Sequence, residues 1–381
     1  MRIAYCIPSL YFSGGMERVI SIKANYFADV LGYEIFIILT DEKEKRPYYE
    51  LSSKIHIINL DINFNELWNQ PFYRKTIIYL QKQYIYKRRL RNCLYQIKPD
   101  FTISMLRREI NFITSIHDGS FKIGEIHFSR DHFRDFKDGR EKTIFKKIVS
   151  TIWTKQLLRN IKKLDAFITL TQKDKDKWPE LNNITVIQNP LPFFPEQVST
   201  CDSFQAIAVG RYDYIKGIDL LIETWNLVSK KYPDWSLQVY GDGNLDNYQK
   251  RVVQLGLEKT CFLQHAVKNI VDKYCESSIF VLSSRNEGFG MVIIEAMACG
   301  VPVVSFDCPF GPREIITDGK DGFLVENGNI VELANNICNL IENDILRKEM
   351  GRQARINVER FKMENIANQW KELFESLCKN E

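Results

Sequence analysis

The sequence predicts an α/β protein built from two doubly wound domains in tandem. Short runs rich in Ile, Val, Phe and Tyr alternate with longer stretches of helical period, the rhythm of a parallel sheet covered on both faces. The rhythm breaks at Asn189-Pro190-Leu191-Pro192 and again from Pro195 to Thr200, where three prolines and polar residues suit a linker. The length of 381 residues, 45% of them hydrophobic, supplies about two cores.

In the first half, strands are expected near 2–8, 34–40, 55–60, 101–105, 121–127, 165–170 and 184–188. Helices are expected near 16–31, 71–97, 107–117, 141–161 and 171–180. After the linker, strands near 204–210, 235–241, 260–264, 278–282, 302–305 and 323–325 alternate with helices near 217–231, 244–255, 289–299 and 329–342. The expected domains are 1–195 and 200–363. Parallel sheets bind ligands beyond the carboxyl ends of their strands, so the loops that follow strands carry the candidate chemistry.

The composition narrows the function. The net charge of +4 is too small for a whole-chain nucleic-acid binder. It is unevenly spread, with 32 basic and 22 acidic side chains in residues 1–200 against 20 and 26 in 201–381. Nine cysteines without a Cys-x-x-Cys pair fit a reducing compartment. The start has no signal-peptide pattern, and no window approaches the roughly 18 apolar residues of a membrane span. A cytoplasmic location is therefore expected.

The most informative stretch runs from Ser284 to Val304 and reads strand, loop, helix, turn, strand. Gly288 and Gly290 would let backbone approach a ligand at a helix start, where free N–H groups and the positive dipole end favour a diphosphate. Glu287 precedes that helix. If the helix begins at Gly288, Glu295 returns to the same face about two turns, or roughly 10 Å, further on. The plain alternative is a helix-capping Glu287 and an ordinary Glu295. After the first strand of the second domain, Val209-Gly210-Arg211-Tyr212-Asp213-Tyr214-Ile215-Lys216-Gly217 sends Arg211 and Lys216 from one loop. Converging, they would stabilise charge on a leaving nucleoside diphosphate; separately, they would be solvated surface cations.

The first domain offers weaker signals. Ser13-Gly14-Gly15-Met16-Glu17-Arg18 resembles a ligand loop without the full G-x-G-x-x-G of a dinucleotide fold. His127 closes the expected strand from Lys122, where a side chain would project into a cleft, or serve structurally. His132, with Asp131 and Asp135 nearby, makes a metal conceivable, but the spacing fits no helical ligand pair and there is no ligand cluster. Residues 71–98 hold Arg74, Lys75, Lys82, Lys87, Arg88, Arg89, Arg91 and Lys98 and no acid, interleaved with aromatic and aliphatic residues. Such a basic amphipathic helix suits an anionic membrane, or presents a solvated face.

On these residues the chain resembles the retaining family 4 glycosyltransferases of the GT-B fold, the glycosyl transferases group 1. The Glu-x7-Glu pattern is met by Glu287 and Glu295, and the phosphate-binding pair by Arg211 and Lys216. Further matches are the Gly14-Gly15 loop, Asn189-Pro190, Tyr240-Gly241-Asp242-Gly243, Gly311-Pro312-Arg313-Glu314-Ile315-Ile316 and Asp321-Gly322-Phe323. The resemblance implies two Rossmann-like domains facing across a cleft, with residues 364–381 crossing back to an acceptor-binding first domain and a donor-binding second domain. It implies that Glu287 contacts the transferred sugar and Glu295 the ribose. Arg211, Lys216 and the backbone of Phe289, Gly290, Met291 and Val292 would hold the diphosphate, and Val267 the base. His127 would lie beside the reacting sugar, although Ile126 separates it from Glu125 where the family commonly has a Glu-His pair; His132 is the reserve.

The function expected is a retaining hexosyltransferase that moves a hexose or N-acetylhexosamine from a UDP-sugar to a saccharide acceptor. The acceptor would be linked to a lipid carrier in surface polysaccharide, lipopolysaccharide or capsule biosynthesis, with the enzyme peripheral on an anionic membrane. The nucleotide sugar is a co-substrate, and neither metal, cofactor nor nucleic acid is expected. The rivals are a sugar phosphorylase or synthase with a soluble acceptor, and a non-catalytic nucleotide-sugar-binding module.

Overall fold

A computed structural model describes residues 1–41, 44–67, 71–127, 130 and 154–379. The chain divides into two compact units, Met1–Pro190 with Ile366–Glu381, and Leu191–Asn365.

In the first unit, β1 (Arg2–Cys6), β2 (Glu34–Leu39), β3 (His56–Asn59), β4 (Phe101–Ser104), β5 (Phe121–Glu125), β6 (Ala166–Thr169) and β7 (Ile184–Val186) form one sheet, ordered β3-β2-β1-β4-β5-β6-β7. Every pairing is parallel; Ile3, for example, lies beside Ile35 on one side and Phe101 on the other. Ile3, Ala4, Tyr5 and Cys6 are all fully buried, which is why β1 is a continuous apolar run rather than an alternating one.

Helix Gly15–Asp29 turns Val19, Ile20, Lys23, Ala24 and Phe27 inward at helical spacing. Helix Met363–Lys379 returns to this unit from the far end of the chain. Its Phe374 lies 4.4 Å from the Phe101 ring and 6.4 Å from Phe27. Of its apolar positions Ile366, Trp370, Phe374 and Leu377, the first three are buried and Leu377 is half-buried. Burying each of the first three side chains contributes about 1.5–3 kcal/mol, which holds the returning segment down.

The second unit repeats the plan. Strands β8 (Gln205–Val209), β9 (Ser236–Tyr240), β10 (Cys261–Gln264), β11 (Ile279–Leu282), β12 (Val303–Phe306) and β13 (Gly322–Val325) run parallel in the order β10-β9-β8-β11-β12-β13. Its core sets Leu221, Ile222, Trp225 and Val228 of helix Ile218–Lys231 against Leu237 and Val239 of the sheet. In both sheets the strand order reverses at one place, between β1 and β4 and between β8 and β11. Loops leaving these neighbours diverge and open a crevice, which positions the candidate site.

Each of the thirteen expected strands is present, and the structure corrects several other expectations. Strand 121–127 stops at Glu125, so His127 lies two residues beyond it. The expected helix 107–117 is two short 3-10 turns, Glu109–Asn111 and Ile113–Ser115. There Glu109 turns inward to accept from Ser104 Oγ at 2.7 Å and the Arg107 N–H at 3.0 Å, a local arrangement that competes with a helix. The helix expected at 171–180 is only Gln172–Asp176, capped by Thr171. Most of the helix expected at 141–161, and His132, Asp131 and Asp135, lie outside the described residues. The sequence reading missed helix Asp344–Val358, whose buried positions include Arg347 and Gly351 in place of apolar side chains. Arg347 is tied to the Cys201 and Leu340 carbonyls at 2.9 and 2.5 Å.

Candidate active site

The loop after β8 is shaped by its own side chains. Asp213 Oδ1 accepts the Lys216 N–H at 3.0 Å and caps the turn Tyr214–Lys216. Gly217 follows with φ +62°, and a Cβ there would sit 2.1 Å from the Ser283 carbonyl oxygen on the loop after β11. Only glycine allows the two loops to touch. Ser283 Oγ donates to the Lys216 carbonyl at 3.1 Å, and the Arg285 N–H to the Ile215 carbonyl at 2.8 Å, which lock them in register.

This contact brings together residues 71 positions apart. Lys216 Nζ lies 2.6 Å from Glu287 Oε1, and Ser284 Oγ donates to the same oxygen at 2.6 Å. The Glu287 side chain is 8% exposed and that of Lys216 20%, so the pair is held but open to a ligand. Arg211 is 70% exposed and lies 3.0 Å from Asp213. Just past Glu287, Gly290 at φ +98° swings the chain into helix Met291–Ala298. The amides of Met291 and Val292 open that helix, and a helix start favours an anion.

The helix therefore begins at Met291, not Gly288, which corrects the two-turn relation expected between the glutamates. Glu287 sits in extended backbone bridged to Phe310, and Glu295 lies in the helix, 2% exposed, accepting from the Tyr274 hydroxyl at 3.1 Å. Val267 is exposed on the loop after edge strand β10, two strands from β8. A cavity of about 560 Å³ in this unit is lined by Tyr212, Asp213, Tyr214, Asp219 and Tyr248 among others, and by none of the expected site side chains. Sequence reasoning missed Ser284 and Asp213, whose partners lie three positions on in the same loop, and Tyr274, whose partner lies 21 positions away in another helix.

In the first unit Gly14 is the N-cap of helix Gly15–Asp29 and Gly15 its first residue. The His127 side chain is 5% exposed, with Nε2 3.1 Å from Glu125 Oε1, a charge contact off the in-line hydrogen-bond direction. Lys23 Nζ lies 2.5 Å from both oxygens of Glu125, and the two side chains are 1% and 3% exposed. Burial alone would raise the Glu125 carboxyl, but Lys23 and then His127 bring it down to about 2. Burial also lowers Lys23 from its ordinary value against the pull of Glu125. The loop after β4, on the other side of the strand-order reversal, carries Arg107 and Arg108, which the sequence reading passed over. Two adjacent arginines directly after an apolar strand were the available signal.

Helix Phe72–Ile97 buries Tyr86, Leu90, Leu94 and Ile97. Lys82 and Arg89 fold back onto the carbonyls of Ile62, Asn63, Leu60 and Asp61. Ile77, Leu80, Tyr84, Arg88, Arg91 and Tyr95, spaced three and four apart, are exposed on one outer stripe. Among the described residues no helix is long and apolar enough to cross a membrane.

Residues 193–357 match the family model described as glycosyl transferases group 1. An uncharacterized glycosyltransferase of Haemophilus influenzae is 28% identical over 97% of this chain and 99% of its own length. A poly(ribitol-phosphate) alpha-N-acetylglucosaminyltransferase of Staphylococcus aureus is 33% identical over 68% of this chain, and the match spans about half, 52%, of that relative. Among solved structures, S. aureus TarM, in complex with fondaparinux, alpha-GlcNAc-glycerol and UDP, superposes with a TM-score of 0.76 at 20% identity, covering 98% of this chain and 99% of that one.

Proposed function

We propose that the chain, whose residues 193–357 match the glycosyl transferases group 1 model, is a glycosyltransferase of that family and a retaining hexosyltransferase using a UDP-linked hexose or N-acetylhexosamine. The observation that carries this reading is the Lys216–Glu287 pair, set at the start of helix Met291–Ala298 where the second sheet reverses its strand order. A cation, a carboxylate and helix-start amides together match a sugar diphosphate: the amides and Lys216 answer the phosphates, and Glu287 answers sugar hydroxyls.

In the proposed reaction the bond from the anomeric carbon to the diphosphate oxygen breaks while an acceptor hydroxyl attacks from the same face. Its proton passes to the departing phosphate oxygen, whose charge Lys216 and Arg211 stabilise without a metal. Gly288, Phe289, Gly290, Met291 and Val292 line the diphosphate, Glu295 receives a ribose hydroxyl, Val267 lies against the base, and His127 stands beside the sugar. We also assign Gly14 and Gly15 to donor binding.

We place the reaction in surface polysaccharide assembly with a lipid-linked saccharide acceptor. The outer stripe of helix Phe72–Ile97 supports this, since it offers Ile77, Leu80 and Tyr84 to a lipid interface and Arg88 and Arg91 to anionic headgroups. The test is calorimetric binding of UDP, GDP and ADP, with and without a chelator. UDP is expected to bind alone and equally well in both; GDP preference would replace the donor, and loss of binding to all three would end the reading. Sedimentation with anionic vesicles at low salt tests the membrane surface, and a chain left in the supernatant would remove it.

A further inference from the structure

The buried lysine of the first unit has no place in the chemistry above. Lys23 is 1% exposed, and an unpaired ammonium so placed would be very costly, so its two 2.5 Å contacts to Glu125 are obligatory. The pair is not explained by stability, because two apolar side chains of similar volume would fill the same space at least as well. Three elements enclose it: Tyr5 of β1, with its ring 5.7 Å from Lys23 Nζ; helix Gly15–Asp29, which supplies Lys23; and helix Met363–Lys379, which lays the Trp370 ring 4.5 Å from Nζ. The titratable groups facing Glu125 are Lys23, Tyr5 and His127. Held by Lys23 on both oxygens, Glu125 cannot swing away from Nε2 of His127.

We propose that Lys23 and Glu125 are positioning residues for His127: the clamped carboxylate, 3.1 Å from Nε2, repels a lone pair there and so favours the tautomer with its proton on Nε2, which sets what the other ring nitrogen presents to the substrate. The proposal rests on reading His127 as the residue beside the transferred sugar. Neither Lys23 nor Glu125 needs to touch that sugar.

The test uses the full chain labelled with 15N-histidine, with the His127 ring signals identified by their loss in His127→Asn. The wild type should show a single tautomer carrying its proton on Nε2. In Lys23→Met/Glu125→Leu, which removes both charges and keeps an apolar filling, the ring should average between tautomers. The kcat for the UDP-sugar should fall about a hundredfold while KM and UDP affinity stay close to wild type. The isosteric Glu125→Gln gives the same ring signature if the double variant does not fold. An unchanged His127 spectrum in a variant that still binds UDP would overturn the proposal. A wild type that binds no nucleotide would instead remove the transferase reading, and the ring spectrum alone would then decide the positioning role.

Discussion

The two units each hold a lysine–glutamate contact within their candidate sites, and they expose it very differently. Lys23 and Glu125 are 1% and 3% exposed and walled by Tyr5 and Trp370, whereas Lys216 and Glu287 are 20% and 8% exposed. A pair sealed from water cannot exchange its partner for a ligand, so it can act only through what it holds in place. A pair open on one side can surrender part of its bonding to an incoming phosphate or hydroxyl. The distance between charges, 2.5 against 2.6 Å, hardly distinguishes them; access to solvent does.

The largest effect should come from breaking the sealed pair on one side. Lys23→Met leaves a buried, uncompensated carboxylate and should cost about 3–5 kcal/mol of stability, with Lys23→Met/Glu125→Leu recovering much of the loss in a urea titration. Next is the open pair: Lys216→Ala should lower turnover about 10²–10³-fold, with a much smaller change in unfolding free energy than Lys23→Met. Equal destabilisation by the two single variants would erase the contrast between the units.

The acid limb of stability sharpens the comparison further. Glu125 is depressed from 4.5 to about 2, so its contribution is complete above pH ~4.5 and is lost as the pH falls toward 2. Glu125→Gln should flatten that limb of a pH-dependent unfolding series. The smallest effect is expected at Arg211, where alanine should alter stability by about 0–1 kcal/mol while making UDP binding weaker and less sensitive to salt.

The second unit was the more legible in the sequence. Glu287, Gly290, Arg211 and Lys216 stand in short motifs directly after strands, and strand ends can be read from apolar runs. What periodicity could not supply was the contact itself, since Lys216 meets Glu287 only because Gly217 lets the loop reach Ser283. The helix expected from residue 289 starts instead at Met291 for a related reason, since the left-handed backbone of Gly290 ends the loop. In the first unit Glu125 and His127 were visible as neighbours at a strand end, but Lys23 was not. A lysine three residues after Ile20 and four before Phe27 reads as surface unless the carboxylate 102 positions later is known to face it. Helix Asp344–Val358 escaped for the same kind of reason, because Arg347 occupies a core position through backbone carbonyls rather than apolar contact.

The return of residues 366–379 to the first unit makes the second unit an insertion within it. During synthesis the first sheet emerges early, but Phe101, Phe27 and Lys23 stay without Phe374 and Trp370 until the whole of the second unit has left the ribosome. Domains fold as units in the order they emerge, so the second unit can reach its final form while the first still has an uncovered apolar and charged face. The order of completion is thus the reverse of the order of translation, and the half that carries His127 acquires its sealed ion pair last.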